Sequence, residues 1–177
     1  MIKQNNAIIK LVYAAVCLAL AIVLPFLTGQ IPAVGQMLSP MHIPVLLCGF
    51  ICGWGWGLGV GFVAPLLRHV LFSVPRMPMG AAMAFELATY GLVAGLLYRM
   101  LPKKVSSVYI SLIVAMILGR IVWGAARFAI AGLQGSSFPM SAFVAGAFVE
   151  AIPGIILHII LIPAVVIALR RASLIPD

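Results

Sequence analysis

The chain has 177 residues, of which 64% are hydrophobic and 8% are charged, and its formal net charge is +8. A soluble domain carries about 25% charged residues, and one of this length still exposes much of its surface to water. The composition therefore excludes a soluble globular protein and indicates an integral membrane protein. The length suits one domain, so residues 1–177 are predicted to form a single transmembrane domain.

Apolar runs separated by Gly, Pro and basic residues predict six helices. In chain order they cover residues 8–27, 41–52, 57–73, 81–101, 107–131 and 142–170, the last interrupted by Pro153 and Pro163. The first run is long enough to be a full span, which favours a retained helix over a signal peptide. The second run is short, and glycines crowd its junction with the third, so these two could also form one broken re-entrant pair.

The positions of the basic residues predict the orientation of this bundle. With six helices, one side holds most of them: Lys3, Lys10, Arg99, Lys103, Lys104, Arg170 and Arg171. The loops on the other side hold Arg76 as their only Lys or Arg. The positive-inside rule then places both termini in the cytoplasm. Because much of the net charge is explained as orientation charge, it does not call for a nucleic acid partner.

Sequence motifs for metal binding and nucleotide hydrolysis are missing from the chain. The glycine run from Gly49 to Gly61 is not followed by Lys-Ser/Thr and no strand precedes it, so it predicts close helix packing instead of a phosphate loop. There is no CxxC or HExxH. Cys17, Cys48 and Cys52 all lie in apolar runs and are interpreted as small packing residues. The sequence thus predicts no cofactor, no metal and no catalytic residue.

Five ionisable residues lie within apolar helices, where they are costly and usually face the bundle interior. They are Arg68, Glu86, Arg120, Arg127 and Glu150. When the six helices are threaded in order, all five fall in the outer half of the bundle. Two interpretations remain open: Arg–Glu pairs that hold helices together, or a polar cavity that binds a small solute. Three Arg against two Glu leave one excess positive charge, which an anionic group on a ligand would balance.

Other side chains near the same side could line such a cavity. Gln36 and His42 flank the mouth of the second helix, and Tyr90 lies one turn below Glu86 on the same face. Trp123 lies between Arg120 and Arg127 on one face of the fifth helix. The predicted substrate-binding set is therefore Gln36, His42, Arg68, Glu86, Tyr90, Arg120, Trp123, Arg127 and Glu150.

Several segments resemble those of a known family. They are the stretch 38–47 (LSPMHIPVLL) before a Gly-rich turn, Pro65-Leu66-Leu67-Arg68, and Ala84-Phe85-Glu86-Leu87-Ala88. With the size and the six-helix layout, nearly the whole chain resembles a substrate-binding S component of an energy-coupling factor (ECF) vitamin transporter.

The resemblance implies a transport subunit of the bacterial cell membrane, without ATPase activity of its own. It implies a vitamin-like ligand on the outer side, and partners that are a transmembrane scaffold subunit and two cytoplasmic ATPases. The family contacts the scaffold through an Ala-xxx-Ala pattern on its first helix, which Ala15 and Ala19 match, and Ala14 and Ala21 widen the small face. The excess Arg charge favours an acid such as pantothenate, with riboflavin as the second choice.

Three other classes of function compete with this interpretation. A non-transport scaffold of the cell-shape machinery has a similar helical layout but would not need charges in an outward cavity. An intramembrane enzyme could use Glu86, Glu150 and His42, although no paired motif supports it. A self-sufficient secondary transporter would show repeated halves with broken helices, which the sequence lacks.

Overall fold

The computed structural model describes residues 2–28 and 37–172, and these residues form helices joined by short turns, with no strand among them. The helices are α1 (Ile2–Val23), α2 (His42–Cys52), α3 (Trp54–Phe72), α4 (Met79–Met100), α5 (Val105–Leu133), α6 (Met140–Val144) and α7 (Ile152–Arg171). A 3₁₀ turn, Leu24–Thr28, extends α1, and a π-helical turn, Ala145–Val149, joins α6 to α7.

Five of these helical segments are long enough to span a membrane. Segments Ala7–Leu27, Trp54–Phe72, Met79–Met100, Val105–Leu133 and Ile152–Arg171 are long and apolar enough to cross a bilayer. The 11-residue helix α2 is shorter than a bilayer core is thick. The all-helical membrane fold is confirmed. The first five predicted helices overlap the observed ones, whereas the sixth is divided into α6, the π-helical turn and α7. Six crossings and cytoplasmic termini stay a prediction.

Prolines affect the last helix differently from the prediction. Pro153 lies in the first turn of α7, where a missing N–H costs nothing, and so marks where this helix begins. Pro163 lies inside α7 without ending it. The predicted interruption at Pro163 was therefore wrong, because Pro in a membrane helix is tolerated when local adjustments and neighbouring helices satisfy the freed carbonyl.

Helices α2, α3 and α4 approach one another through glycine. A Cβ on Gly57 of α3 would lie 2.6 Å from the carbonyl oxygen of Gly91 on α4 and 2.8 Å from the Cα of Gly49 on α2. Gly53, with φ +97°, makes the sharp turn that reverses the chain between α2 and α3. Since lipid offers no hydrophobic drive for helix association, this close backbone contact supplies the van der Waals packing that joins the three helices.

Helix α1 packs on this unit with small side chains. Ala14, Cys17 and Ala21 are buried, in one apolar cluster with Cys48 and Cys52. Ala15 and Ala19 are exposed on the opposite face. The predicted widening of the Ala15–Ala19 face by Ala14 and Ala21 was therefore wrong. Because residues 11–23 of α1 include no charged or amide side chain, their sequence does not indicate which stripe faces the bundle.

The bundle has two chemically distinct ends. The last turns of α1, α3 and α5 meet the first turns of α2, α4 and α6 around a cavity, and we call this the cavity end. At the other end, the α4–α5 turn meets the end of α7, where Arg170 Nη1 donates to the carbonyl oxygen of Lys103 at 3.1 Å. The helices between the two ends pack through a core of apolar residues from α2, α4, α5 and α7.

Candidate ligand-binding cavity

The cavity end encloses a volume of about 800 Å³. This is within the range of about 300–1,000 Å³ typical of sites for small molecules. Its titratable lining residues are His42, Arg68, Arg76, Glu86, Arg120, Arg127 and Glu150, and its apolar wall includes Met79, Met83, Trp123 and Phe138. A concave site with a few converging polar groups in an otherwise apolar bundle has the composition of a ligand-binding site.

Glu86 is the centre of a buried polar network beneath this cavity. Only 1% of its surface is exposed, and its Oε1 lies 3.0 Å from Arg120 Nη1. The hydroxyl of Tyr90, one helical turn away, donates to the same oxygen at 3.2 Å. His42 Nε2 lies 3.5 Å from it. The cost of a carboxylate at this depth is offset by a cation and hydrogen-bond donors, which also fix the Arg120 side chain beside the cavity.

His42 reaches this network from the first turn of α2. Its ring stacks on that of His158 from α7, with centroids 6.0 Å apart, and meets the Tyr90 ring edge-on at 5.2 Å. The imidazole is buried, yet Nδ1 has no hydrogen-bond partner among the residues that the structure describes. An unsatisfied buried polar atom is costly, so the His42 ring is held by its aromatic neighbours and by Glu86 and not by a hydrogen bond at Nδ1.

Arg68 is held without a carboxylate. Its guanidinium is buried, donates to the carbonyl oxygen of Ile22 at the end of α1, and lies 4.9 Å from the Phe26 ring and 5.5 Å from the Phe72 ring. Cation–π contacts with two aromatic faces stabilise a desolvated guanidinium. Arg68 thus ties the end of α1 to α3 and borders the cavity without an ion pair to any residue that the structure describes.

Arg127, Trp123 and Phe138 form one wall of the cavity, and Phe143 packs against Trp123. The Arg127 guanidinium lies 4.8 Å from the centroid of Phe138, which meets Trp123 edge-on at 6.0 Å. Phe143 of α6 stacks against Trp123 at 6.3 Å because Gly124 leaves room for its ring. Arg127 Nε has no hydrogen-bond partner among the described residues. The wall therefore offers both an aromatic surface and a cation.

A π-helical turn brings Glu150 to the rim of this wall. The Glu150 N–H donates to the carbonyl oxygen of Ala145 at 2.9 Å, five residues earlier. Pro153 cannot donate an N–H, so the chain before α7 does not continue as a regular α-helix. Turns of this kind are frequent at functional sites. The Glu150 side chain is exposed and forms no ion pair with the described residues.

The structure brings together most of the residues that the sequence singled out. Seven of them line the cavity: His42, Arg68, Glu86, Arg120, Trp123, Arg127 and Glu150. Tyr90 lies beneath them, bonded to Glu86. Gln36 lies outside the described residues. Each of the two interpretations of the five charges applies to some of them. Arg120 and Glu86 form the Arg–Glu pair found among the described residues, whereas Arg68 and Arg127 line the cavity.

Among the lining residues outside the predicted set, Arg76 and Phe138 contribute most to the chemistry of the cavity. Arg76 was placed in a loop, yet it joins the lining from the turn between α3 and α4. Phe138 follows Arg127 by 11 residues in the loop after α5, and its aromatic character was the only signal for it. Counting Arg76, the lining holds four Arg and two Glu, which gives a formal excess of two positive charges where the sequence predicted one.

Comparison with known proteins gives one match. A family model described as "ECF transporter, substrate-specific component" matches residues 9–166. The match covers most of the chain and includes every residue that lines the cavity. Neither the search of curated proteins nor the search of solved structures finds a match.

Proposed function

Because this chain belongs to the family of substrate-specific components of ECF transporters, we propose that it captures an anionic vitamin-like molecule in the cavity for import. The family makes the chain a multi-pass membrane transport subunit and not an enzyme, and it implies a small-molecule substrate. It also implies a scaffold subunit and ATPase subunits as partners. The identity of the ligand and its contacts are the proposed part.

The charge of the cavity lining carries the proposal of an anionic ligand. Glu86 already lies against Arg120 at 3.0 Å, whereas Arg76 and Arg127 form no ion pair with the described residues. Charge-assisted hydrogen bonds from Arg to a carboxylate are stronger than neutral ones, and a forked guanidinium can hold both oxygens. A carboxylate on the ligand would compensate the excess positive charge of the lining.

Pantothenate is our first choice among such ligands. Its carboxylate would lie near Arg127 and Arg76, and its hydroxyl groups would reach the polar floor. There Arg120, which lines the cavity and is held by Glu86, can donate to a hydroxyl. Methyl groups of the ligand would pack on Met79 and Met83, whose flexible side chains adapt to irregular shapes.

Riboflavin is the second choice, and a different observation supports it. Trp123 and Phe138 both border the cavity, and their rings are suited to stack on a flat ring system. A neutral ring would leave the excess positive charge without a partner, which is why the acid is placed first.

The partners proposed from the family are a transmembrane scaffold and two cytoplasmic ATPases in a bacterial cell membrane. Exposure of Ala15 and Ala19 on α1 supports a close helix contact there, since small residues let backbones approach. The cavity would then open outward, with both termini in the cytoplasm. A cell-shape scaffold, the other class considered, has no use for a charged cavity of this volume.

Mass spectrometry of small molecules released from the detergent-purified protein tests the ligand. We expect one stoichiometric acid, together with a rise in thermal stability when that acid is added from a vitamin panel. The variant Arg127→Gln should weaken binding by about 10- to 100-fold, because it removes a charge-assisted hydrogen bond worth about 1.5–3 kcal/mol. The matched variant Lys10→Gln, which removes a positive charge outside the cavity lining, should bind normally.

Other outcomes would redirect the proposal. A bound flavin that tolerates Arg127→Gln would exclude the acid and favour riboflavin. An empty protein that gains no stability from any vitamin would argue for a scaffold.

A further inference from the structure

Five basic residues gather at the end of the bundle opposite the cavity, where the α4–α5 turn meets the end of α7. This basic corner consists of Arg99, Lys103, Lys104, Arg170 and Arg171. It lies outside the proposed ligand site and takes no part in the function described above.

Two of these side chains are held in fixed positions. Arg170 Nη1 donates to the carbonyl oxygen of Lys103 at 3.1 Å and joins residues 67 positions apart. Lys103 Nζ donates to the carbonyl oxygen of Tyr98 at 3.1 Å and lies 3.9 Å from the centroid of the Tyr98 ring. Arg170 and Lys103 thus form a frame that keeps the end of α7 against the α4–α5 turn.

The other three basic side chains, Arg99, Lys104 and Arg171, are exposed around this frame. Both carboxylates of the described residues, Glu86 and Glu150, line the cavity at the opposite end. Among the residues that the structure describes, the corner therefore carries positive charge only. Clusters of four to eight Lys or Arg next to a membrane helix attract anionic lipid headgroups.

An exposed apolar strip continues from the corner along the outside of the bundle. Val105, Tyr109 and Ile113 are spaced four residues apart on one face of α5, and all three are exposed. Met100, at the end of α4, is 72% exposed beside Lys103. An amphipathic ligand can place its charged group on the basic corner and its apolar part on the strip. An acidic protein surface would neutralise the corner but would leave the apolar strip uncovered.

We propose that the basic corner is a binding site for an anionic phospholipid. Its phosphate lies among Arg99, Lys104 and Arg171, and an acyl chain follows Met100, Val105 and Tyr109. Tyr109 has the amphipathic ring that is typical of the membrane–water interface. The site holds this end of the bundle at the depth of the headgroups.

Native mass spectrometry of the full chain in neutral detergent tests the site, with phosphatidylglycerol and phosphatidylcholine of identical acyl chains as probes. We expect retained phosphatidylglycerol and little phosphatidylcholine. The double variant K104Q/R171Q should bind phosphatidylglycerol about 30-fold more weakly, from about fivefold for each basic side chain. The matched variant K3Q/K10Q loses the same charge in α1, outside both the corner and the cavity lining, and should retain the lipid as the wild type does.

A second measurement avoids any effect of the substitutions on folding. In the wild-type protein, bound phosphatidylglycerol should fall as sodium chloride rises, because salt screens the charges of the corner. Equal weakening in both double variants would mean a general charge effect and overturn the site. Competition by inorganic phosphate as strong as that by the lipid would indicate a free-anion site. Loss of assembly with the partner subunits in K104Q/R171Q, with lipid retention unchanged, would indicate an acidic protein partner and overturn the lipid.

Discussion

Glu86 shows how a single ionisable residue is accommodated in an apolar bundle. The carboxylate on α4 lies against Arg120 of α5, receives the Tyr90 hydroxyl, and approaches His42 of α2. Each partner compensates part of the cost of burying a charge, and together they link three helices. The same contacts hold Arg120 at the cavity, so stability and ligand recognition depend on one network.

The variant Glu86→Gln should destabilise the protein by about 3 kcal/mol, because removing one member of a buried pair leaves the other charge without compensation. Thermal unfolding in detergent measures the change. Glu150→Gln is the matched control, since Glu150 is exposed and forms no ion pair with the described residues, and it should change stability by less than about 0.5 kcal/mol.

Adding Arg120→Met to Glu86→Gln should recover part of the lost stability, because the uncompensated cation is then removed. A double variant less stable than either single variant would show that the pair is not the reason for the cost. Equal unfolding temperatures for Glu86→Gln and the wild type would contradict the network itself.

At the scale of whole helices, glycine determines how close α2, α3 and α4 can come. Gly57, Gly91 and Gly49 meet backbone to backbone, and backbone atoms cannot move aside for a new methyl group as a flexible side chain could. Gly59, two residues after Gly57 on α3, has nothing within 4 Å of an added Cβ. One helix thus carries a glycine required by packing and one that is not.

Substituting these two glycines by alanine should have different effects on the stability of the protein. Gly57→Ala should destabilise the protein by about 1–3 kcal/mol through overpacking. Gly59→Ala should leave it unchanged or stabilise it by up to about 1 kcal/mol, since Ala is the better helix former. Thermal unfolding of both variants in the same detergent measures the contrast, and equal effects would refute close packing at Gly57.

For the whole molecule, the separation of charges between the two ends matters most. Both carboxylates of the described residues lie at the cavity end, together with four arginines, whereas the basic corner at the other end holds positive charge only among those residues. The positive-inside rule predicts that the basic corner faces the cytoplasm and that the cavity faces outward, as capture of an external solute would require. Because α2, with 11 residues, is shorter than a membrane span, the number of crossings and therefore the orientation remain predictions.

Cysteine labelling of intact cells with a membrane-impermeant maleimide tests the orientation. Ser136→Cys, in the loop between α5 and α6, should react from outside. Lys104→Cys should react only after permeabilisation. The native Cys17, Cys48 and Cys52 are buried and should contribute little background. Labelling of Lys104→Cys in intact cells, with Ser136→Cys protected, would reverse the topology and the direction of the cavity.

The sequence by itself determined the helices and the end at which the charges gather. Apolar runs and their Pro and Gly boundaries are local signals, and the alternating direction of successive helices places Arg68, Glu86 and Arg120 at one end. Only the tertiary structure decided which partners meet. Arg120 pairs with Glu86, Arg68 lies between Phe26 and Phe72, and Arg76 enters the lining. These contacts depend on how each helix is rotated about its axis. One or two charges in an otherwise apolar helix indicate its inner face but not which side chain of a neighbouring helix they meet.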